Sequence, residues 1–168
     1  RGLVGSEMCI RDSPTVRSKN GMVAAAHPLA ANAGADILRK GGNAFDAMVA
    51  AGFTAAVTEP TAAYSIAAEG VFMLYHWDSG DLLALSGQGT APGRATAEWY
   101  RSQGHEAIPT GPGLLAPLAF TVPGIVHGFL TVLERYGTMT GREVLAPAIQ
   151  YADQGFPNYE YMLKALRA

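Results

Sequence analysis

Residues 44–57 are predicted to form a helix that is apolar on almost every side. Asn43 is placed to cap a helix over residues 44–57, and Glu59-Pro60 closes it. Besides many alanines, its apolar side chains are Phe45, Met48, Val49 and Phe53. A helix without a polar face has to be covered on all sides. We therefore predict a layered fold in which this helix lies inside.

The segments on either side of this helix show other patterns. A short apolar run over residues 21–26 suits a buried strand, and a helix over residues 28–40 follows it and ends at two glycines. Strand-forming residues alternate over 70–88, with a turn at Ser79-Gly80. This alternation predicts an antiparallel hairpin. We expect the helix over residues 28–40 and the apolar helix after it to pack against each other and against this hairpin.

Three more helices are predicted downstream of the hairpin. One is short and covers residues 94–101, the next begins near Pro123, and the third is capped by Thr140 and Glu143 and ends at Gly155. Helices on both sides of a hairpin in the chain order indicate a layered α+β domain.

Composition excludes several classes of protein. The chain of 168 residues is about one domain long, with 49% hydrophobic residues, 15% charged residues and a formal net charge of −2. Lysines and arginines are scattered and not clustered, so we expect no nucleic-acid partner. The apolar stretch over residues 44–57 is shorter than the roughly 18 residues of a membrane span, so we expect no membrane span.

The first 13 residues share no period with the rest of the chain. They resemble a translated sequencing-adaptor tail, and we predict that residues 1–13 are non-native and that residues 14–168 are the protein proper. Cys9, the only cysteine, lies in this tail, which leaves no thiol chemistry to consider. We expect a periplasmic or extracellular location if a signal peptide was lost, and a cytoplasmic one otherwise.

Residues 85–92 form a candidate ligand loop directly after the predicted hairpin. Gly87 and Gly89 permit positive φ or a close approach to a bound molecule, and Gln88 between them offers a hydrogen-bond donor and an acceptor. An ordinary turn at a strand end has the same local pattern. The remainder of the sequence decides between the two interpretations.

Short motifs occur in a fixed order from about Val16 to Pro157. They are Asn20-Gly21-Met22-Val23, His27-Pro28-Leu29-Ala30, Gly41-Gly42-Asn43-Ala44, Glu59-Pro60, Thr90-Ala91-Pro92, Thr121-Val122-Pro123-Gly124, Leu145-Ala146-Pro147-Ala148-Ile149 and Gly155-Phe156-Pro157. Each motif is weak alone, but the ordered set resembles the γ-glutamyltranspeptidase family. The resemblance implies part of an N-terminal-nucleophile hydrolase αββα sandwich, here an incomplete fragment from the front of the large subunit of a self-cleaving precursor.

The resemblance also implies chemistry that this chain does not complete. In the family, the nucleophile is a threonine freed at the start of the small subunit, and its own α-amino group is the base. Thr90, Thr121 and Thr140 are internal, so we predict no catalytic residue in this chain and no activity of the chain alone. The implied partners are the small subunit and a γ-glutamyl or related small-molecule donor, and no cofactor is expected.

Two departures from the family pattern concern the substrate. The family loop usually reads Gly-Arg-Glu-Thr-Ala-Pro, with its arginine on the donor α-carboxylate, whereas this chain has Gln88 and Gly89 there. Residues 64–70 replace a glycine-rich run. Both changes resemble the divergent transpeptidase-like branch, and we predict Gln88 as a substrate-binding residue. Two classes stay open: an enzyme that transfers or hydrolyses γ-glutamyl or related acyl-amide groups, and a non-catalytic or altered-specificity binding scaffold of the same fold.

Other kinds of site are disfavoured by residue spacing. Gly87, Gly89 and Gly93 do not match a dinucleotide loop, because the third glycine comes one residue late. The histidines, which are His27, His76, His105 and His127, are far apart, so we expect no metal site. Asp46 lies on the apolar helix, and we predict that it accepts structural hydrogen bonds from nearby backbone.

Overall fold

The computed structural model describes residues 15–61, 64–110 and 113–167, so the predicted tail over residues 1–13 lies outside it. The helices and strands in these ranges are α1 (Pro28–Arg39), α2 (Ala44–Thr58), β1 (Gly70–His76), β2 (Asp81–Gly87), α3 (Ala97–Ser102), α4 (Ile125–Tyr136), α5 (Gly141–Gln154) and α6 (Glu160–Arg167). A short 3-10 helix, Ala116–Ala119, precedes α4. None of the described helices has the length and apolar character needed to span a membrane.

Helix α2 lies at the centre of the helical layer. Asn43 caps it, because the Asn43 Oδ1 atom accepts hydrogen bonds from the backbone N–H groups of Phe45 and Asp46 at 2.9 and 3.0 Å. Helices α1, α4 and α5 pack against it. Its buried apolar residues are Ala47, Val49, Ala50, Ala51, Phe53 and Ala55. The prediction that this helix is buried between other elements is confirmed.

Strands β1 and β2 form an antiparallel hairpin whose register pairs Gly70 with Gly87. Because successive side chains of a strand point to opposite faces, the hairpin has an inner and an outer face. Phe72 and Leu74 lie on the inner face and are buried. The exposed large apolar side chains of the outer face are Val71, Met73, Tyr75 and Leu82. One face of the hairpin is therefore covered by helices, and the other is apolar and exposed.

The hairpin packs mainly on α4. We expected α1 and α2 to pack against each other and against the hairpin, and the first contact is confirmed. The contact between these helices and the hairpin is largely indirect. The Phe129 ring of α4 lies between them, 5.3 Å from the Phe72 ring of β1 and 5.2 Å from the Phe53 ring of α2. Gly52 makes room for this ring, since a Cβ at that position would lie 2.2 Å from it.

Two local predictions from the sequence were wrong, and one helix was missed. Residues 21–26 form no strand, because neither β1 nor β2 pairs with them and an isolated extended segment has no ladder of hydrogen bonds. The helix predicted over 94–101 begins at Ala97, because Thr96 is its N-cap. Helix α6 was not predicted, since its eight residues carry no strong start or stop signal.

A cavity of about 760 Å³ lies between residues 20–26, α2 and β1. Most of its lining is apolar, but Glu59, directly after α2, also lines it. Glu59 is only 7% exposed, and its Oε2 atom has no hydrogen-bond partner within the described ranges. Buried polar atoms usually have a partner. We therefore expect this cavity to be filled by groups from outside the described residues, with apolar groups against most of its lining and a hydrogen-bond donor at Glu59.

Candidate substrate-binding site

The candidate ligand loop begins where β2 ends. Gly87, the last residue of β2, is buried, whereas Gln88 is exposed. The backbone N–H of Gln88 donates to the Ser86 Oγ atom at 3.4 Å, which restrains the first residue after the strand. The amide side chain of Gln88 is therefore accessible to a small molecule from a position next to a regular strand.

A second segment, residues 121–124, passes beside this loop before α4 begins. The backbone N–H of Val122 donates to the carbonyl of Thr90 at 2.9 Å. The carbonyl of Ala68 accepts a hydrogen bond from the N–H of Ile125 at 3.1 Å. Backbone hydrogen bonds therefore tie the loop after β2, the segment before α4 and the residues before β1 to one another.

Glu69 joins the same segments through its side chain. The Glu69 Oε1 atom accepts a hydrogen bond from the backbone N–H of Gly89 at 3.2 Å and another from the hydroxyl of Thr121. Hydrogen bonds to a carboxylate are stronger than those between neutral groups. The sequence analysis did not select Glu69. It lies in residues 64–70, which replace the glycine-rich run of the family, and a carboxylate in that segment was a signal that could have pointed to it.

Gly89 and Gly124 allow the two segments to approach closely. A Cβ on Gly89 would lie 2.0 Å from the carbonyl oxygen of Val122, and a Cβ on Gly124 would lie 2.4 Å from that of Gly87. None of these glycines has a positive φ. Of the two reasons predicted for glycine in this loop, the structure shows the close approach.

Replacing Gly89 by alanine is expected to separate the two segments. The added methyl group overlaps the Val122 carbonyl, so the hydrogen bond from Val122 to Thr90 has to lengthen or break. We expect the free energy of unfolding, measured in urea, to fall by about 1–3 kcal/mol. Gly93→Ala is the matched control, because a Cβ there meets nothing within 4 Å. Equal losses in the two variants would contradict the close packing.

The internal threonines occupy structural positions. Thr140 caps α5: its Oγ1 atom accepts from the Glu143 N–H at 3.4 Å, and the Glu143 carboxylate accepts from the Thr140 N–H at 2.9 Å. Hydrogen bonds from Thr140 hold the pKa of Glu143 below its usual value. Thr121 donates to Glu69, and Thr90 contributes its carbonyl to the loop contact. The absence of a catalytic residue in this chain stays a prediction.

Two of the histidines have local structural partners. His27 is the N-cap of α1, and its Nδ1 atom accepts from the Leu29 N–H at 3.1 Å. The Nδ1 atom of His76 lies 3.1 Å from the Ser79 Oγ atom in the hairpin turn. Within the part of the chain that the structure describes, no three side chains of His, Cys, Asp or Glu are grouped so that they could hold a metal ion.

Asp46 joins the start of α2 to the connection between α4 and α5. Its carboxylate is fully buried and accepts from the N–H and hydroxyl of Thr138 at 3.0 and 2.7 Å, and from the N–H groups of Met139 and Asn43 at 3.2 and 2.9 Å. Burial alone raises the pKa of Asp46, but these hydrogen bonds outweigh it and hold the pKa below its usual 3.8. The predicted structural role of Asp46 is confirmed.

The fold is shared with solved N-terminal-nucleophile hydrolases. The chain superposes on γ-glutamyltranspeptidase from Helicobacter pylori with a TM-score of 0.79 and 33% identity, over 92% of this chain and 43% of that one. It superposes on cephalosporin acylase from Bacillus halodurans with a TM-score of 0.77 and 39% identity, over 91% of this chain and 28% of that one. The prediction of an α+β fold that forms part of this sandwich is confirmed.

The sequence matches the family model "Gamma-glutamyltranspeptidase" over residues 30–168. The chain belongs to the γ-glutamyltranspeptidase family. It is 37% identical over 148 residues to the glutathione hydrolase proenzyme of Bacillus subtilis, covering 88% of this chain and 25% of that protein. It is 39% identical over 147 residues to the acylase ACY 1 proenzyme of Pseudomonas sp., covering 84% of this chain and 26% of that protein. The chain thus spans about a quarter of the length of these relatives.

Proposed function

We propose that the complete protein is a γ-glutamyltransferase-like enzyme that transfers or hydrolyses γ-glutamyl or related acyl-amide groups. Family membership supports this proposal, as does the similarity to a glutathione hydrolase and to an acylase. The main observation in support of this proposal is the loop at Gln88. Hydrogen bonds to Val122 and to Glu69 hold the loop backbone, and the side-chain amide of Gln88 is exposed. The backbone of such a loop loses little conformational entropy when a ligand binds.

The proposed reaction uses a nucleophile outside this chain. The hydroxyl oxygen of a threonine at the start of the small subunit attacks the acyl carbon of the donor amide, and the α-amino group of the same threonine takes the hydroxyl proton. That proton passes to the departing amine when the amide bond breaks. Water or an acceptor amine then displaces the acyl group from the threonine oxygen, and the proton that this second nucleophile gives up passes through the α-amino group to that oxygen, which restores the hydroxyl. In this proposal, Gln88 orients the acyl group for the attack.

We infer that the small subunit of the same precursor is the partner of this chain. The apolar outer face of the hairpin supports this inference, because its large side chains are each more than half exposed. In an αββα sandwich, the sheet face opposite the helices packs on a second sheet. The cavity between α2 and β1 offers a second contact surface, and the buried Oε2 atom of Glu59 there lacks a donor among the described residues.

Met73→Asp is expected to block this assembly. Met73 is 78% exposed, so a carboxylate there is tolerated in the separate chain but becomes costly when the outer face is covered by apolar groups. We expect at least about a tenfold loss in copurification of the two co-expressed subunits, which corresponds to 1.4 kcal/mol. Leu114→Asp is the control, since Leu114 is 100% exposed and lies outside the hairpin. Equal recovery of the two variants would exclude the outer face as the contact surface.

The proposed activity is tested on the complete gene product. We expect the purified precursor to split into two chains on a denaturing gel, and the processed protein to release the anilide from a γ-glutamyl or neutral acyl anilide. The separate chain of 168 residues is the control, and we expect no release from it. A complete protein that binds these amides without processing or turnover would support the alternative, a non-catalytic scaffold of the same fold.

A further inference from the structure

Glu69 is a charged side chain in direct contact with the candidate ligand loop. Its Oε1 atom accepts both of its side-chain hydrogen bonds, from the Gly89 N–H and the Thr121 hydroxyl. Its Oε2 atom makes no hydrogen bond to any described residue, and the side chain is exposed. One oxygen of the carboxylate therefore holds the loop, while the other is accessible to a ligand.

No positive charge pairs with this carboxylate in the described part of the chain. The two ion pairs found there join Arg39 to Asp36 in α1 and Lys164 to Glu160 in α6, and neither includes Glu69. Gln88, adjacent to the Gly89 that Glu69 holds, is neutral. A ligand group that binds beside Gln88 therefore experiences a nearby negative charge, in a site that is open to solvent.

We propose that Glu69 is a specificity-determining residue of the acyl-amide site. It disfavours donors whose acyl part carries a carboxylate beside Gln88, and it favours donors with a neutral or ammonium group there. Repulsion between like charges in a partly solvated site corresponds to roughly fivefold to tenfold in kcat/KM. An ammonium group gains a charge-assisted hydrogen bond to the accessible oxygen instead. This inference rests on the proposed function.

The charge of Glu69 can be separated from its structural contacts. Glu69→Gln retains a carbonyl oxygen that can accept from Gly89 and Thr121, so it removes the charge while keeping the loop contacts. Glu69→Ala removes both. Glu134→Gln is the matched control, because Glu134 is an exposed carboxylate near the other end of α4.

The test compares two donors that differ in one group. The complete gene product is assayed with γ-glutamyl anilide and with its α-carboxamide analogue, and the ratio of the two kcat/KM values is determined. This ratio does not depend on the fraction of folded enzyme. We expect Glu69→Gln to raise the ratio of carboxylate to carboxamide donor by about fivefold to tenfold, and Glu134→Gln to leave it unchanged. An unchanged ratio in Glu69→Gln overturns the proposal, because Glu69 then has only a structural role.

A binding measurement separates this proposal from the proposed function. If the parent protein turns over neither donor, the proposed function fails. The affinities of the parent and of Glu69→Gln for glutamate and for its α-carboxamide, isoglutamine, are then compared by calorimetry. The same fivefold to tenfold shift in the affinity ratio supports a specificity role for Glu69. An unchanged ratio, or no binding of either compound, overturns that role.

Discussion

Replacing Asp46 by alanine is expected to lower the free energy of unfolding by about 3–5 kcal/mol, because several buried donors lose their acceptor at once. The carboxylate is fully buried, and its removal leaves the backbone N–H groups of Asn43, Thr138 and Met139 without their acceptor. Asp46→Asn keeps one acceptor oxygen, so we expect about half of this loss. Equilibrium unfolding of the chain in urea, followed by circular dichroism, measures both values.

Asp153→Asn is the control for this series. Asp153 is an exposed residue near the end of α5, and its replacement is expected to change stability by less than about 0.5 kcal/mol. If Asp46→Ala costs no more than this control, the hydrogen bonds of Asp46 do not hold the start of α2 to the connection between α4 and α5.

The same carboxylate makes stability depend on pH in a defined direction. Because the folded-state pKa of Asp46 lies below 3.8, its ionised form stabilises the fold above that pH, and this contribution is lost as the pH falls through the lower folded-state pKa. We therefore expect the difference in unfolding free energy between the parent and Asp46→Asn to shrink below about pH 4. A difference that stays constant through this range is the contrary result.

Gln88→Arg in the complete protein is expected to raise kcat/KM for a γ-glutamyl anilide by about tenfold to a hundredfold. The neutral amide of Gln88 cannot form the bidentate, charged pair that a guanidinium makes with a carboxylate. Hydrogen bonds that involve charged groups are worth about 1.5–3 kcal/mol, and each 1.36 kcal/mol is tenfold in rate. Steady-state kinetics of the parent and the variant measure the gain.

The α-carboxamide analogue of the donor is the control for this substitution, because it lacks the carboxylate and should show little gain. An arginine at position 88 also lies near Glu69, which holds the adjacent Gly89. The two side chains can pair, so we expect a larger gain when Gln88→Arg is combined with Glu69→Gln. If the parent already turns over γ-glutamyl anilide efficiently and arginine gives no gain, Gln88 does not determine specificity.

Most of the local structure could be predicted because its causes lie close together in the chain. The caps at Asn43 and Thr140 act on N–H groups three residues away or fewer. The pattern of apolar residues within single segments marked α1, α2 and the hairpin. The ordered motifs likewise identified the family, which the match over residues 30–168 confirms. Buried Asp46 was also assigned a structural role from the sequence, since an unpaired carboxylate cannot remain inside an apolar layer.

The placement of the elements against one another depended on contacts between distant residues. The apolar run over 21–26 has the pattern of a strand, yet a strand exists only where another backbone pairs with it, and no described strand does so here. The hairpin lies mainly on α4, and Phe129 of that helix packs against α2 because Gly52, more than 70 residues earlier, leaves space for its ring. Such complementary shapes are not encoded within either segment alone.

Part of the candidate site could likewise be predicted from the sequence, and part of it depended on contacts between distant residues. Gln88 and its flanking glycines could be found from the sequence, because they are neighbours in the chain and stand at a strand end. The departure from the family pattern drew attention to the segment that holds Glu69, but not to its place beside the loop, because its contacts with Gly89 and Thr121 join residues 20 and 52 positions away. The sequence by itself determined the family, the main helices, the hairpin and the position of the ligand loop. Only the tertiary structure decided which charge lies beside that loop, because chain folding alone brings these three segments together.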